Sequence, residues 1–192
     1  MAVEGLRERK RRETAQRIAD VALRLFLANG YEATTLDAIT AAAGISRRTF
    51  FYYYKSKDDI LISMQAGLGE TIAAGVRDEP ADRRPLDAVR DVMIRASAAY
   101  PAEDMIAIDR LMRSSDVVMA RKQASYVEHE RTVYEALREK FSPPGSETSL
   151  RIVAMVAIGA MRLALEAFNR DHGKRPIVEH LWDAFNALDR EI

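Results

Sequence analysis

Arg47, Arg48 and Thr49 occupy consecutive positions, followed by Phe50, Phe51, three tyrosines, and then Lys55 and Lys57; no acidic residue falls between Asp37 and Asp58. Side chains of these types are hydrogen-bond donors suited to nucleic acid. An arginine fork reaches guanine O6 and N7 with two parallel bonds, whereas lysine and tyrosine reach backbone phosphates. The chemistry needs those donors on the outer side of a short helix held at a fixed angle to its neighbour. If a helix starts at Arg47, then Arg47, Arg48, Thr49, Tyr52 and Tyr53 can point outward, while Phe50 and Tyr54, four residues apart, face inward.

The elements that would hold this helix are legible around it. Ser46 is an N-cap for it, and Ile45 before the cap can act as a staple. Gly44 sits where the chain must turn sharply, which favours a residue without Cβ. Thr34 or Thr35 caps a preceding short helix with Leu36, Ile39 and Ala43 on its inner face. Before that, residues 6–29 repeat Ile18, Val21, Ala22, Leu25 and Phe26 at three- and four-residue steps, a buried helical stripe ending at Asn29 and a left-handed Gly30. Two helices meeting at Ala43-Gly44-Ile45 form a helix-turn-helix; the competing reading is a helical corner whose aromatics are core. Arg7, Arg9, Lys10, Arg11 and Arg12 at the start of the first helix are either a solvated end or an N-terminal arm on phosphates.

The spacing over residues 18–61 resembles the TetR family of transcriptional regulators. The matching positions are residues 18–22, Leu25-Phe26, Gly30-Tyr31, Thr34-Thr35, Ile39, residues 42–46, residues 50–54, and Ser56-Lys57 through Leu61. This resemblance implies a DNA-binding head with contacts from Thr35, Arg47, Arg48, Thr49, Phe51, Tyr52, Tyr53 and Lys57, with Ser46 capping the recognition helix. Two positions depart from the family pattern. Phe51 stands where a tyrosine is usual and lacks its phenolic contact to phosphate, and Tyr53 stands where histidine is frequent.

Composition is consistent with such a head on a helical body. The chain has 192 residues and a formal net charge of zero, but residues 1–60 hold eleven basic residues against eight acidic ones. A local basic patch is what phosphate binding needs. Cysteine is absent, which excludes disulfides and thiolate metal sites or nucleophiles. The charged start has no apolar signal core, and the apolar run at residues 152–160 is interrupted at Arg162. These features read as a soluble, cytoplasmic protein without a membrane partner. His129, His172 and His180 stand at unrelated spacings, and no nucleophile elbow or phosphate loop occurs, so neither a metal nor a cofactor nor an enzyme is expected. The alternative from another class is a helical enzyme or scaffold whose basic corner binds an anion.

The expected fold is all-α, about nine helices: a three-helix head at residues 1–57 and an effector-binding and dimerisation body at residues 58–192. Ser56 caps a long helix to about Val76, buried through Ile60, Leu61, Met64, Leu68 and Ile72. Further helical patterns cover residues 86–99, 102–113 and 116–141, the last with Ala120, Val127, Tyr134 and Phe141 on one line. Residues 142–145 break the chain. The final helices span residues 147–171 and 177–190. Their Val156, Gly159, Ala160, Leu163, Leu181, Trp182, Phe185 and Leu188 make either an ordinary internal core or a dimer seam. The family resemblance implies the seam, in a four-helix bundle with a second copy. It also implies a small-molecule effector, for which Met93, Tyr100, Met105, Met112, Tyr126, His129 and Met155 are the candidate pocket. A fainter similarity of the later helices to mycofactocin-type regulators implies an acyl-CoA-like effector, with Arg95, Arg110 and Arg121 as candidates for its anionic groups. Together these imply a homodimeric repressor released from a palindromic double-stranded DNA operator.

Overall fold

The computed structural model describes residues 5–141 and 146–191, so the expected break at residues 142–145 lies outside the described residues. The described residues form ten α-helices and no strand: α1 (Leu6–Asn29), α2 (Leu36–Ala43), α3 (Arg47–Tyr53), α4 (Lys57–Ala66), α5 (Leu68–Asp78), α6 (Pro85–Ala98), α7 (Ala102–Met112), α8 (Asp116–Lys140), α9 (Glu147–Arg170) and α10 (Ile177–Glu191). The expected helix from Ser56 to Val76 is two helices, interrupted at Gly67. Glycine costs about 1 kcal/mol relative to alanine in a helix interior, and Gly67 stands two residues before a second glycine, Gly69. Gly30 has a positive φ of 83° but an extended ψ of 154°, so it ends α1 without the expected left-handed helical cap.

The chain divides into two compact units: residues 1–65 with 110–121, and residues 66–109 with 122–192. The first unit therefore runs past residue 57 and includes α4. Its core is built from the apolar stripe of α1, where Ile18, Ala22 and Phe26 are buried, together with Ile39 of α2, Phe50 of α3, and Ile60 and Leu61 of α4. Burying side chains of this size contributes roughly 1.5–3 kcal/mol each, which is what holds three short helices that would not persist alone.

In the second unit α5, α6, α9 and α10 pack around one core containing Ile72, Val76, Val89, Met93, Leu137, Ile158, Phe168 and Phe185. Gly75 permits the closest approach: a Cβ there would lie 2.5 Å from Cγ1 of Val92. The buried line of α8 within this unit runs through Tyr126, His129, Val133, Ala136 and Leu137. Val127, on the line expected from seven-residue steps, is 68% exposed. Such steps drift by about 20° per repeat on a straight helix and cross from one face to another.

By length and composition α9 could cross a bilayer, with a mean hydropathy of 1.6 over eighteen residues. The sequence reading missed this by stopping at Arg162. Its apolar character has a local cause: Leu150, Ala154, Ala157, Ile158, Met161, Ala164 and Phe168 are buried in the core. A second line of α9 remains open, with Ile152, Met155 and Leu163 each about half exposed and open space around Gly159. Trp182 of α10 is also exposed, and the Arg90 guanidinium lies 4.9 Å from its ring centroid.

These positions correct part of the seam. Leu163 and Trp182 are available to a partner, and Val156, Gly159 and Leu188 are partly covered, but Ala160, Leu181 and Phe185 are already buried within the second unit. The candidate pocket is divided in the same way. Met93, Met112, Tyr126 and His129 are buried and Met105 is half-buried, whereas Tyr100 and Met155 face solvent. Residues spaced for a cavity and residues spaced for an outer face look alike in α9, where both faces are apolar.

Candidate nucleic-acid interface

Two side-chain caps and one left-handed glycine set the geometry of the α2–α3 corner. Thr35, not Thr34, caps α2, its hydroxyl accepting from the Ala38 N–H at 3.1 Å. Thr34 is buried, and its hydroxyl donates to the carbonyls of Leu25 and Gly30, fastening the end of α1. Gly44 adopts φ 65°, ψ 38°, a conformation unfavourable for residues with a Cβ. The N–H of Ile45 then bonds the Thr40 carbonyl at 3.0 Å. Ser46 caps α3 by accepting from the Thr49 N–H at 3.1 Å, and its hydroxyl lies 2.9 Å from that of Thr49.

On the inner side of α3, Phe50 is fully buried and Tyr54 nearly so; the Tyr54 hydroxyl donates to the Ala15 carbonyl of α1 at 3.0 Å. Burial raises the Tyr54 pKa above its ordinary value, partly opposed by Ser63. The hydroxyl therefore remains a donor throughout the neutral range. These inward anchors leave Arg47, Arg48, Phe51 and Tyr52 exposed, with Thr49 and Tyr53 partly covered. Phe50 and Phe51 meet edge to face, as do Tyr52 and Tyr53.

The basic start of α1 reaches this surface. The Arg11 guanidinium lies 5.7 Å from the Tyr52 ring centroid, a cation–π contact placing one arm residue beside α3. Arg7, Arg9, Lys10 and Arg12 are exposed on the same helix end. Lys57 is more constrained than its type suggested. Its ammonium donates to the Tyr31 carbonyl at 2.8 Å and sits 4.2 Å from that residue's ring centroid, while the Tyr31 hydroxyl donates to Asp58.

Sequence reasoning missed two partners here. Asp37 pairs with Arg47, Oδ1 to Nε at 2.8 Å, and Tyr31 holds Lys57. A ten-residue separation across a tight turn carries no periodic signal for the first, and a backbone acceptor carries none for the second. The three proposed ligand arginines divide. Arg95 bonds Glu79, Arg121 bonds Asp59 and Arg110 is exposed, so two of the three already hold carboxylates.

Residues 18–64 match the bacterial regulatory proteins of the tetR family. The transcriptional regulator TcmR of Streptomyces glaucescens is 39% identical over 85 residues, which are 44% of this chain and 38% of that protein. MftR of Mycobacterium tuberculosis is 50% identical over 52 residues, 27% of this chain and 26% of that protein. The chain thus spans well under half of the length of these relatives. In overall fold it resembles Thermus thermophilus FadR, a TetR-family transcriptional repressor crystallised with lauroyl-CoA, with a TM-score of 0.61 and 24% identity over 91% of this chain and 92% of that one.

Proposed function

We propose that this chain, whose residues 18–64 match the bacterial regulatory proteins of the tetR family, is a homodimeric, ligand-responsive repressor of transcription. The observation that carries the reading is the outer face of α3: Arg47, Arg48 and Tyr52 stand on a helix fixed from beneath by Phe50 and Tyr54. Arg47, Arg48 and Thr49 read base edges, while Thr35, Tyr52, Tyr53, Lys57 and the arm arginines hold the backbone. Phe51 packs on Phe50 instead of bonding phosphate. Residues 1–57 form the DNA-binding part of this assignment and residues 58–192 the effector-binding and dimerisation part.

One recognition helix gives little affinity; two, related by a twofold axis, read a near-palindrome with half-sites about 34–36 Å apart. The open line of α9, Ile152, Met155, Gly159 and Leu163, with Trp182 of α10, supplies a self-complementary face for that pairing. A small-molecule effector then shifts the balance between dimers that fit successive major-groove faces and dimers that do not. The fold likeness to a FadR crystallised with lauroyl-CoA makes an acyl-CoA thioester the first effector to test. Buried Met93, Tyr126 and His129 are the pocket positions of the second unit that remain compatible with such a ligand.

A gel-shift titration on the DNA upstream of the protein's own gene, at stated salt, tests the assignment. Arg47→Ala and Arg48→Ala should each weaken operator binding by about 1–3 kcal/mol and relax preference at one position. Added acyl-CoA should release the complex. Operator affinity unchanged in both variants would overturn the reading.

A further inference from the structure

Throughout α2, the turn and α3, the single acidic side chain is Asp37. It is 72% exposed, and its Oδ1 lies 2.8 Å from Nε of Arg47, itself 63% exposed. An ion pair this open to water adds almost nothing to the stability of a folded head. Nor is it needed to set the α2–α3 angle, which Gly44, the two caps and buried Phe50 already fix. A carboxylate on a surface meant for phosphates also repels the polyanion. Asp37 also stands in the first turn of α2, where a carboxylate favours the helix N-terminus, but that role needs no contact with Arg47; what the contact adds lies in what it does to Arg47.

Arginine has a long, rotamer-rich side chain that satisfies itself as readily on a phosphate as on a base. A carboxylate held at Nε restricts the guanidinium plane and leaves the two terminal Nη groups for another partner. Guanine offers O6 and N7 side by side in the major groove, a spacing that two parallel N–H donors match. We propose that Asp37 is a specificity-determining residue: it positions Arg47 end-on for a guanine and, by its charge, disfavours the same side chain turning to the phosphate backbone. Asp37 acts through Arg47 and so is a positioning residue. The role rests on the operator-binding function proposed above. Docking on DNA strengthens it, because displacing water from the pair raises its electrostatic weight just where the base is read.

The test is selection from randomised duplex DNA followed by sequencing, performed on the full chain and on Asp37→Asn, Arg47→Ala and the double variant, with thermal midpoints measured alongside. The wild-type protein is expected to enrich a two-half-site motif with one guanine per half that depends on Arg47. Asp37→Asn should lower preference for that guanine by roughly 5- to 20-fold, the scale of one base-pair discrimination, and leave the other positions unchanged. It should also tighten binding to random DNA by about 2- to 5-fold, since one phosphate-repelling charge is gone. In base preference the double variant should match Arg47→Ala, because an orienting residue has nothing left to orient, while keeping the tighter binding to random DNA that loss of the Asp37 charge brings. A motif unchanged in Asp37→Asn, or weakened at positions that Arg47→Ala leaves intact, overturns the role. Uniform weakening at every position with a lowered thermal midpoint overturns it too, assigning Asp37 to the stability of α2. A wild-type protein that enriches no motif removes the operator-binding function itself, and this role with it.

Discussion

Arg121 Nη1, near the start of α8, lies 2.5 Å from Oδ1 of Asp59 on α4, within the first unit. Asp59 also accepts the Lys55 N–H at 2.8 Å, so one carboxylate ties the segment after α3 to α8, and α8 continues into the second unit. Burial pushes the Asp59 pKa up, but the bonds from Arg121 and Lys55 outweigh it and hold the carboxyl below the ordinary 3.8. A depressed carboxylate stabilises the fold fully above its unfolded pKa and loses that contribution as pH falls through the folded value. Asp59→Asn should therefore cost about 1–2 kcal/mol at pH 7, and Arg121→Ala about 1 kcal/mol or less because the arginine is partly exposed. Urea titrations at pH 7 and pH 3 test this: the difference between wild type and Asp59→Asn should shrink at the lower pH.

Lys57 has two tasks that a binding curve alone would merge. Its ammonium fastens Tyr31, and it carries a charge at the edge of the recognition surface. Lys57→Ala should weaken binding to operator and random DNA by the same factor, reduce the salt slope by about 1, and lower the thermal midpoint of the free protein. Titrations at several salt concentrations separate the tasks. An unchanged salt slope with a lowered midpoint would assign Lys57 to the fold alone.

How far the sequence reached differs between the two units for a physical reason. In the head, caps, a glycine turn and a one-sided apolar stripe all act over a few residues, so α1, a cap at Thr34 or Thr35, the Ser46 cap, and buried Phe50 and Tyr54 were legible in the sequence, and the structure selects Thr35. The family resemblance supplied the candidate DNA contacts on top of that local reading, and these stand as part of the proposed function. In the body, α9 is apolar on both its inner and outer lines, and periodicity cannot say which line meets the core and which stays open. Leu181 and Phe185, expected in a seam, are buried in the second unit, and Met155, expected in a pocket, is exposed. Asp37 and Arg121 were beyond reach for another reason: their partners are distant in sequence and are chosen by how helices cross.

If the open line of α9 joins two copies, a charge on it should separate them without disturbing the fold. Leu163 is 56% exposed, so Leu163→Glu removes little from the protomer's core. Burying a glutamate in a paired interface is costly, and the same change is repeated on both copies of a twofold seam. Sedimentation should show the wild-type protein as a dimer and Leu163→Glu as a monomer with an unchanged helical circular-dichroism spectrum. A dimer that survives Leu163→Glu and the equivalent Met155→Glu would place the seam elsewhere.

His129 gives the second unit a dependence on mild acid. The residue is buried beside the Tyr126 ring and the backbone position of Gly69, where a Cβ would lie 2.9 Å from Nδ1. Burial lowers its pKa below the ordinary 6.5, with neighbouring Glu128 opposing the shift. The unfolded chain therefore takes up this proton at a higher pH than the folded one. Stability should fall as pH drops below 6.5, at no more than about 1.4 kcal/mol per pH unit, and should level off below the folded pKa. Chemical denaturation between pH 7.5 and 5.5 should show this slope in the wild type and a shallower one in His129→Leu. Equal slopes would exclude His129 as the source.

Gly75 sets two opposed effects against each other within α5. Alanine in a helix interior is favoured over glycine by about 1 kcal/mol, yet its Cβ here would lie 2.5 Å from Cγ1 and 3.1 Å from Cγ2 of buried Val92. Overpacking of this kind costs about 1–3 kcal/mol, because Val92 is enclosed by core and has little room to retreat. The clash should win, leaving Gly75→Ala less stable than wild type. Val92→Ala alone should also destabilise, by opening a cavity where the methyls were. Combined, the two changes address one space from opposite sides: the new methyl enters volume that the valine has vacated. The double variant should therefore be more stable than the sum of the single costs predicts, by about 0.5–3 kcal/mol. A denaturant double-mutant cycle measures that coupling, and strict additivity would mean that α5 and α6 adjust their separation instead of competing for it.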